Sequence, residues 1–297
     1  MNGFGRIDKT NKNSIKKKGK TLNIDKLISN AFSFHSSGKI KEASEIYNFL
    51  IQNKIYDPRV LNNLGSIYFQ QKLFDKSILL FDESIKKFPN SLEAYPNLAQ
   101  VLVIKGRNDI AKKILHKAIE LNANYLKPYS NLASIFVGEG NLHKAEFFLR
   151  KSLEINPKDV NNLVNLGCVL KDLGNSEQAE KYLRDALEIN PRYDFALINI
   201  GAVLNELGKI DEGEKFLRRA LKINPDSPMA LNNLGNILSK KNKNMEAELS
   251  YRKAIKLKPD FSLAYNNFAS HLSKQGNLIE AEKFTQKAIN FNPKFEL

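Results

Sequence analysis

Large apolar residues return along this chain at helical spacing and in paired runs. Leu163, Leu166 and Leu170 stand at i, i+3 and i+7, as do Leu197, Ile200 and Leu204, and again Leu231, Leu234 and Leu238. That spacing predicts an amphipathic helix with one buried face. A second apolar run follows each first one, for example Tyr182, Leu183, Leu187 and Ile189. Gly106, Gly140, Gly174, Gly208 and Gly276 separate the runs, where the end of a helix needs φ > 0. Asn-Pro closes the second run at Asn156-Pro157, Asn190-Pro191 and Asn224-Pro225, because proline cannot continue a helix. The pattern predicts helix, short turn, helix, turn.

The order repeats with a fixed period. Pro157, Pro191, Pro225, Pro259 and Pro293 lie 34 residues apart, and Pro89 joins the grid with Ala123 in place of one proline. With residue 58 as position 1, position 8 is always glycine or alanine, from Gly65 to Ala269. Positions 20 and 27 are equally small, as at Ala179 and Ala186. Columns of small residues mark places where two helices cross closely, and a larger side chain there typically costs about 1–3 kcal/mol. Neither helix of a pair can bury its stripe alone, so neighbouring units must stack into a solenoid.

A small residue at position 8, Gly at 15, Ala at 20, a small residue at 27 and Pro at 32 within 34 residues closely resemble the tetratricopeptide repeat. The resemblance covers residues 24 to 295 and gives eight units: 24–57, 58–91, 92–125, 126–159, 160–193, 194–227, 228–261 and 262–295. It implies an all-α, right-handed superhelical solenoid of eight helical hairpins. Some positions depart from the pattern. Asn30 in the first unit and Thr285 in the last are polar where other units are apolar, and Ser29 replaces the asparagine that the other units carry at position 6, which suits terminal repeats. Pro96 lies beside Asn97 and should remove one backbone hydrogen bond and delay or kink its helix. Asn242 replaces the turn glycine and is the residue that next best tolerates the left-handed region. No polar capping helix follows the last unit, so its apolar surface should either fray or pair with a second copy.

Length and charge narrow the function. The eight units take up all but 25 of the 297 residues, leaving no stretch among them for a catalytic domain, so a non-enzyme is expected. Cys168 is the single cysteine, and no apolar signal-like segment is evident, which points to a reducing, cytoplasmic setting. The four histidines, at 35, 116, 143 and 271, are scattered without metal-ligand spacing, so neither metal nor small-molecule cofactor is implied. Of the net charge of +14, residues 1–23 carry Arg6, Lys9, Lys12, Lys16, Lys17, Lys18 and Lys20 against Asp8. That leader is expected to be disordered. It serves either as a solvated tail or as an attraction to an acidic surface, whether membrane, RNA or protein.

Position 6 carries the most functional content. It holds Asn63, Asn97 and Asn131, then Asn165, Asn199, Asn233 and Asn267. The resemblance implies that these side chains point into a concave groove lined by the first helix of each unit. An asparagine amide can pair with a peptide backbone whatever the ligand's side chains. Helices pack about 8–10 Å apart and an extended chain advances about 3.3 Å per residue, so each rung would meet roughly every third residue of a threaded peptide. The column is similar to the asparagine ladder of protein O-linked N-acetylglucosamine transferases. The competing reading is that these asparagines bond to the neighbouring helix. At position 2, Arg59, Glu93 and Lys127 give way to Phe195, Met229 and Leu263, so the groove should turn from polar to apolar along the chain. Position 5 has no lysine, so the clamp that grips chaperone tails in this family is not expected. The chain therefore reads as a scaffold that binds a peptide or protein partner. The alternatives are a substrate-recruiting arm of a glycosyltransferase-type enzyme and a nucleic-acid adaptor acting through the leader, the latter marked by affinity that falls steeply with salt.

Overall fold

The computed structural model describes residues 14–17 and 20–292. Two compact units divide the chain at Gly138. The first contains α1 (Ile24–Ser36), α2 (Ile40–Gln52), α3 (Pro58–Gln70), α4 (Phe74–Lys87), α5 (Ala94–Ile104), α6 (Asn108–Leu121) and α7 (Leu126–Gly138). The second contains α8 (Leu142–Ile155), α9 (Val160–Asp172), α10 (Ser176–Ile189), α11 (Asp194–Glu206), α12 (Ile210–Ile223), α13 (Pro228–Lys240), α14 (Asn244–Leu257), α15 (Ser262–Lys274) and α16 (Leu278–Phe291). The helices follow the 34-residue register, and the protein is an all-α repeat solenoid.

The turn inside each hairpin places one residue in the left-handed region. Gly38, Gly106, Gly174, Gly208 and Gly276 have φ between 72° and 79°, and Asn242 adopts 57° as its residue type allows. Lys72 takes the same position with φ 60°, although a side chain with a Cβ is disfavoured there. The next residue donates back into the first helix, as from Asn175 N–H to the Leu170 carbonyl at 2.8 Å, which satisfies a helix-end acceptor.

The small columns are the helix crossings. A Cβ added to Gly235 would stand 2.7 Å from the Tyr251 ring, and one added to Gly65 would stand 2.6 Å from the Phe81 ring. Ser77, Ala111, Ala179 and Ala247 at position 20 are fully buried, and the Ser77 hydroxyl donates to the Gly65 carbonyl at 2.8 Å. Close approach of the two helices thus requires the missing atoms.

Two expectations need correction. Pro96 removes no backbone hydrogen bond: α5 begins at Ala94, two positions later than α3, so Pro96 lies in the first turn. Amides of that turn have no intrahelical partner in any case. The expected delay of the helix is present. The leader is not wholly disordered: β1 (Ser14–Lys17) pairs antiparallel with β2 (Lys20–Asn23), with Ile15 opposite Leu22. A four-residue ladder satisfies its backbone groups without an apolar run long enough to show as periodicity. The remainder of residues 1–23 lies outside the described residues. Asn23 then caps α1, its Oδ1 accepting from Lys26 N–H at 3.1 Å.

On the second helices of the later unit, arginine recurs at position 25 as Arg150, Arg184, Arg218 and Arg252. Each bonds the glutamate four residues earlier, at 2.7–3.1 Å. Each also reaches the next repeat: Gln178 at 2.9 Å, Glu212 at 2.8 Å, Glu246 at 3.3 Å and Glu280 at 2.8 Å. On α16, Leu278 and Ile279 are exposed, the apolar surface anticipated for the last repeat.

Candidate functional site

Within each unit the first helices of successive hairpins touch one another: α3 with α5 and α5 with α7, then α9 with α11, α11 with α13 and α13 with α15. They form one layer per unit, and at 3.6 residues per turn positions 2, 6, 9 and 13 fall on one face of each helix. The position-6 asparagines lie on that face.

In the first unit all three amides are engaged and half-buried. Asn63 Nδ2 donates to the Tyr47 hydroxyl at 3.3 Å, Asn97 Nδ2 to Asn62 Oδ1 at 2.9 Å, and Asn131 Nδ2 to the Pro96 carbonyl at 3.3 Å. In the second unit Asn267 Nδ2 donates to Asn232 Oδ1 at 3.0 Å, and Asn233 Oδ1 accepts from Asn232 Nδ2 at 3.2 Å. Asn199 is buried and turned onto its own helix, donating to the Phe195 carbonyl at 2.8 Å. Asn165 is exposed. Asn97, Asn131 and Asn267 share one arrangement, each reaching back to position 5 of the preceding first helix. Such a bond fixes the plane of the amide and leaves its oxygen as the outstanding acceptor.

Each unit has a hollow on this layer. Between α5 and α7 a cavity of about 320 Å³ is lined by Gln100, Val103, Ile104, Asn131 and Ser134, with Val103 and Ile104 exposed. Across α11, α13 and α15 a cavity of about 240 Å³ is lined by Asn236, Ser239, Lys240, Asn267, Ser270 and Lys274. The apolar hollow is therefore in the earlier unit and the polar, basic one in the later, the reverse of the expected trend. Position 2 does run as read, with Phe195, Met229 and Leu263 exposed. The hollows open instead toward position 13, which changes in the opposite direction, from Gln70, Ile104 and Gly138 to Asp172, Glu206, Lys240 and Lys274.

The remaining candidates for chemistry are quiet. Burial pushes the Cys168 thiol up to about 11, which leaves it protonated and suits a small filler. His271 is buried with Nδ1 2.8 Å from Ser239 Oγ, and burial holds its pKa below the ordinary value. Among the described residues no group of three His, Cys, Asp or Glu side chains could hold a metal ion. Among those same residues no helix is long and apolar enough to cross a membrane.

Family models described as tetratricopeptide repeat match residues 34–91, 92–125, 126–159, 160–193, 196–227 and 228–261. No curated protein matches the chain. Among solved structures, the chain is similar to YrrB, described as a TPR protein with an unusual peptide-binding site. The two are 25% identical over 65% of this chain and 97% of that one, with a TM-score of 0.53. A tetratricopeptide repeat protein from Parabacteroides merdae aligns over 87% of this chain and 98% of its own, at 16% identity and a TM-score of 0.62. The Cut9-Hcn1 hetero-tetramer of the APC/C supplies a third likeness, at 14% identity and a TM-score of 0.68, covering 91% of this chain and 53% of that one. The last two likenesses concern the fold alone.

Proposed function

Because this chain belongs to the tetratricopeptide repeat family, whose stacked hairpins serve as protein-interaction scaffolds, we propose that it binds an extended peptide segment of a partner along the layer of first helices, without catalysis. The observation that carries this reading is the shared setting of Asn97, Asn131 and Asn267. Each is tied by Nδ2 to the preceding repeat, which orients its amide before any ligand arrives. Preorganised polar groups lower the ordering cost of binding. A net hydrogen bond contributes only about 0.5–1.5 kcal/mol, so several rungs must act together. The peptide-binding site described for YrrB supports the same assignment. The asparagines that bond the neighbouring helix and those that meet the ligand are thus one set in two roles. A recruiting role for a glycosyltransferase-type enzyme has no observation in its favour.

The test is selection of ligands for the full chain from a random peptide library displayed on phage. Affinity of a selected peptide is then measured for the wild type and for the Asn97→Ala, Asn131→Ala, Asn267→Ala triple variant, which removes the three tethered amides. Binding should be lost in the variant while its helicity by circular dichroism is unchanged. Equal affinity in the two proteins would remove the ladder from the account.

A further inference from the structure

Position 13 of the first helices changes sign within the second unit. It holds Asp172 on α9 and Glu206 on α11, then Lys240 on α13 and Lys274 on α15, all exposed. The two lysines flank the hollow of about 240 Å³. Lys240 Nζ donates to the Asn205 backbone carbonyl at 3.0 Å, which holds the ammonium at the rim with further N–H groups to spare. Lys274 forms no ion pair among the described residues. By contrast, Arg184, Arg218 and Arg252 on the second helices and Lys209 and Lys241 in the hairpin turns each lie against a carboxylate.

The floor of the hollow adds donors and no charge of its own. The Tyr251 hydroxyl donates to Asn236 Oδ1 at 2.8 Å, which leaves the Asn236 Nδ2 to face a ligand. Ser270 is exposed beside it, and buried His271 is occupied with Ser239. Two ammonium groups and several neutral donors therefore line the hollow, beside one acceptor, the buried Asn205 Oδ1, and there is room for an acidic side chain.

We propose that this hollow receives an aspartate or glutamate side chain of the bound peptide, its carboxylate held between Lys240 and Lys274. The proposal rests on the scaffold reading above and adds a register to it. Asp172, paired with Lys171 at 3.0 Å, and Glu206 offer no position-13 cation to an acidic residue on the first two rungs, so the acid comes to lie over α13 and α15. Charge arranged in this way sets specificity and register more than raw affinity.

The experiment repeats the library selection on the full chain and on the Lys240→Gln, Lys274→Gln double variant at low ionic strength. Both lysines are exposed, so the variant should keep its helicity. Peptides selected by the wild type should carry Asp or Glu at one fixed position, and those selected by the variant should not. A wild-type peptide should lose about three- to tenfold in affinity for the variant, the range expected for exposed ion pairs. It should lose the same when its acidic residue becomes the matching amide, and lose little against a Lys240→Arg, Lys274→Arg protein. Selected peptides with no acidic preference, or equal affinity for the Gln variant, would overturn this proposal and leave the scaffold reading standing. Failure of the wild type to select any peptide would overturn both.

Discussion

In the second unit Arg150, Arg184, Arg218 and Arg252 join each repeat to the next across the second helices, whereas Asn48, Asp82 and His116 occupy that position in the first. The first unit spends its second-helix surface differently. Asn48 there accepts from the Tyr68 hydroxyl at 2.9 Å, and Phe32 and His35 pack around buried Tyr47. The helix crossings are the same in both, with a position-8 glycine under a position-24 ring or leucine. One repeat therefore fixes its core by shape and leaves its outer layer open to two chemistries. The first-helix layers differ as well, apolar at Val103 and Ile104 in one unit and basic at Lys240 and Lys274 in the other.

The common core can be tested first. Gly65→Val and Gly235→Val should each destabilise by about 1–3 kcal/mol, because both force a Cβ into an aromatic ring. Urea unfolding should show similar losses in the two variants, and a loss at one site only would mean that the crossings are not equivalent. The turns come next. Lys72→Gly should stabilise by about 1 kcal/mol, since it relieves a left-handed residue that carries a Cβ. Asn242→Gly should gain only about a few tenths, because asparagine already tolerates that region. Differential scanning calorimetry on the pair would rank them.

The arginine joints predict a smaller difference. Arg218→Met should lose about 0.2–1 kcal/mol, the range for solvent-exposed pairs, and the loss should shrink in high salt. Asp82→Met at the matching position breaks only the exposed pair with Lys86 within one helix and should lose about 0.3–0.5 kcal/mol, with no joint to the next repeat at stake. Acid should act on carboxylates of both units. The Lys241 hydrogen bond, helped by Arg218, holds Glu214 below its ordinary value. For Glu180 burial pulls upward, but Lys209 and Arg184 outweigh it and the net direction is down. A depressed carboxylate contributes stability that is complete above its unfolded value of about 4.3 and is lost as pH falls through the lower folded value. Asp57, lowered against the pull of burial by its bonds from Arg59, does the same in the first unit. Hydrogen exchange corrected for intrinsic rates should therefore show protection in α10 and α12 fading below about pH 4.3. Protection unchanged at these helices would dissociate the arginine joints from stability.

The fold was open to reading because its determinants are local and periodic: leucines at helical spacing, glycine at the turn, proline after the second helix. The asparagine column was equally visible as residues. What those amides bond was not, because Asn62, Pro96 and Asn232 belong to the preceding repeat and enter only when the units stack. The trend at position 2 does not carry over to the hollows, because they open toward position 13. The arginine joints have a plain signal, Arg every 34 residues with Glu four before it, on the second helices rather than the first. The pairing of Ser14–Lys17 with Lys20–Asn23 gave no such signal, being too short for alternation to stand out.

Tying Asn97 to Asn62 and Asn131 to Pro96 has a mechanical corollary. These tethers span the seam between adjacent hairpins, so a force on the amide is a force on the spacing of two helices. Within the first unit, under the proposed binding mode, a strand drawn tightly onto those rungs would flex the spring that holds it.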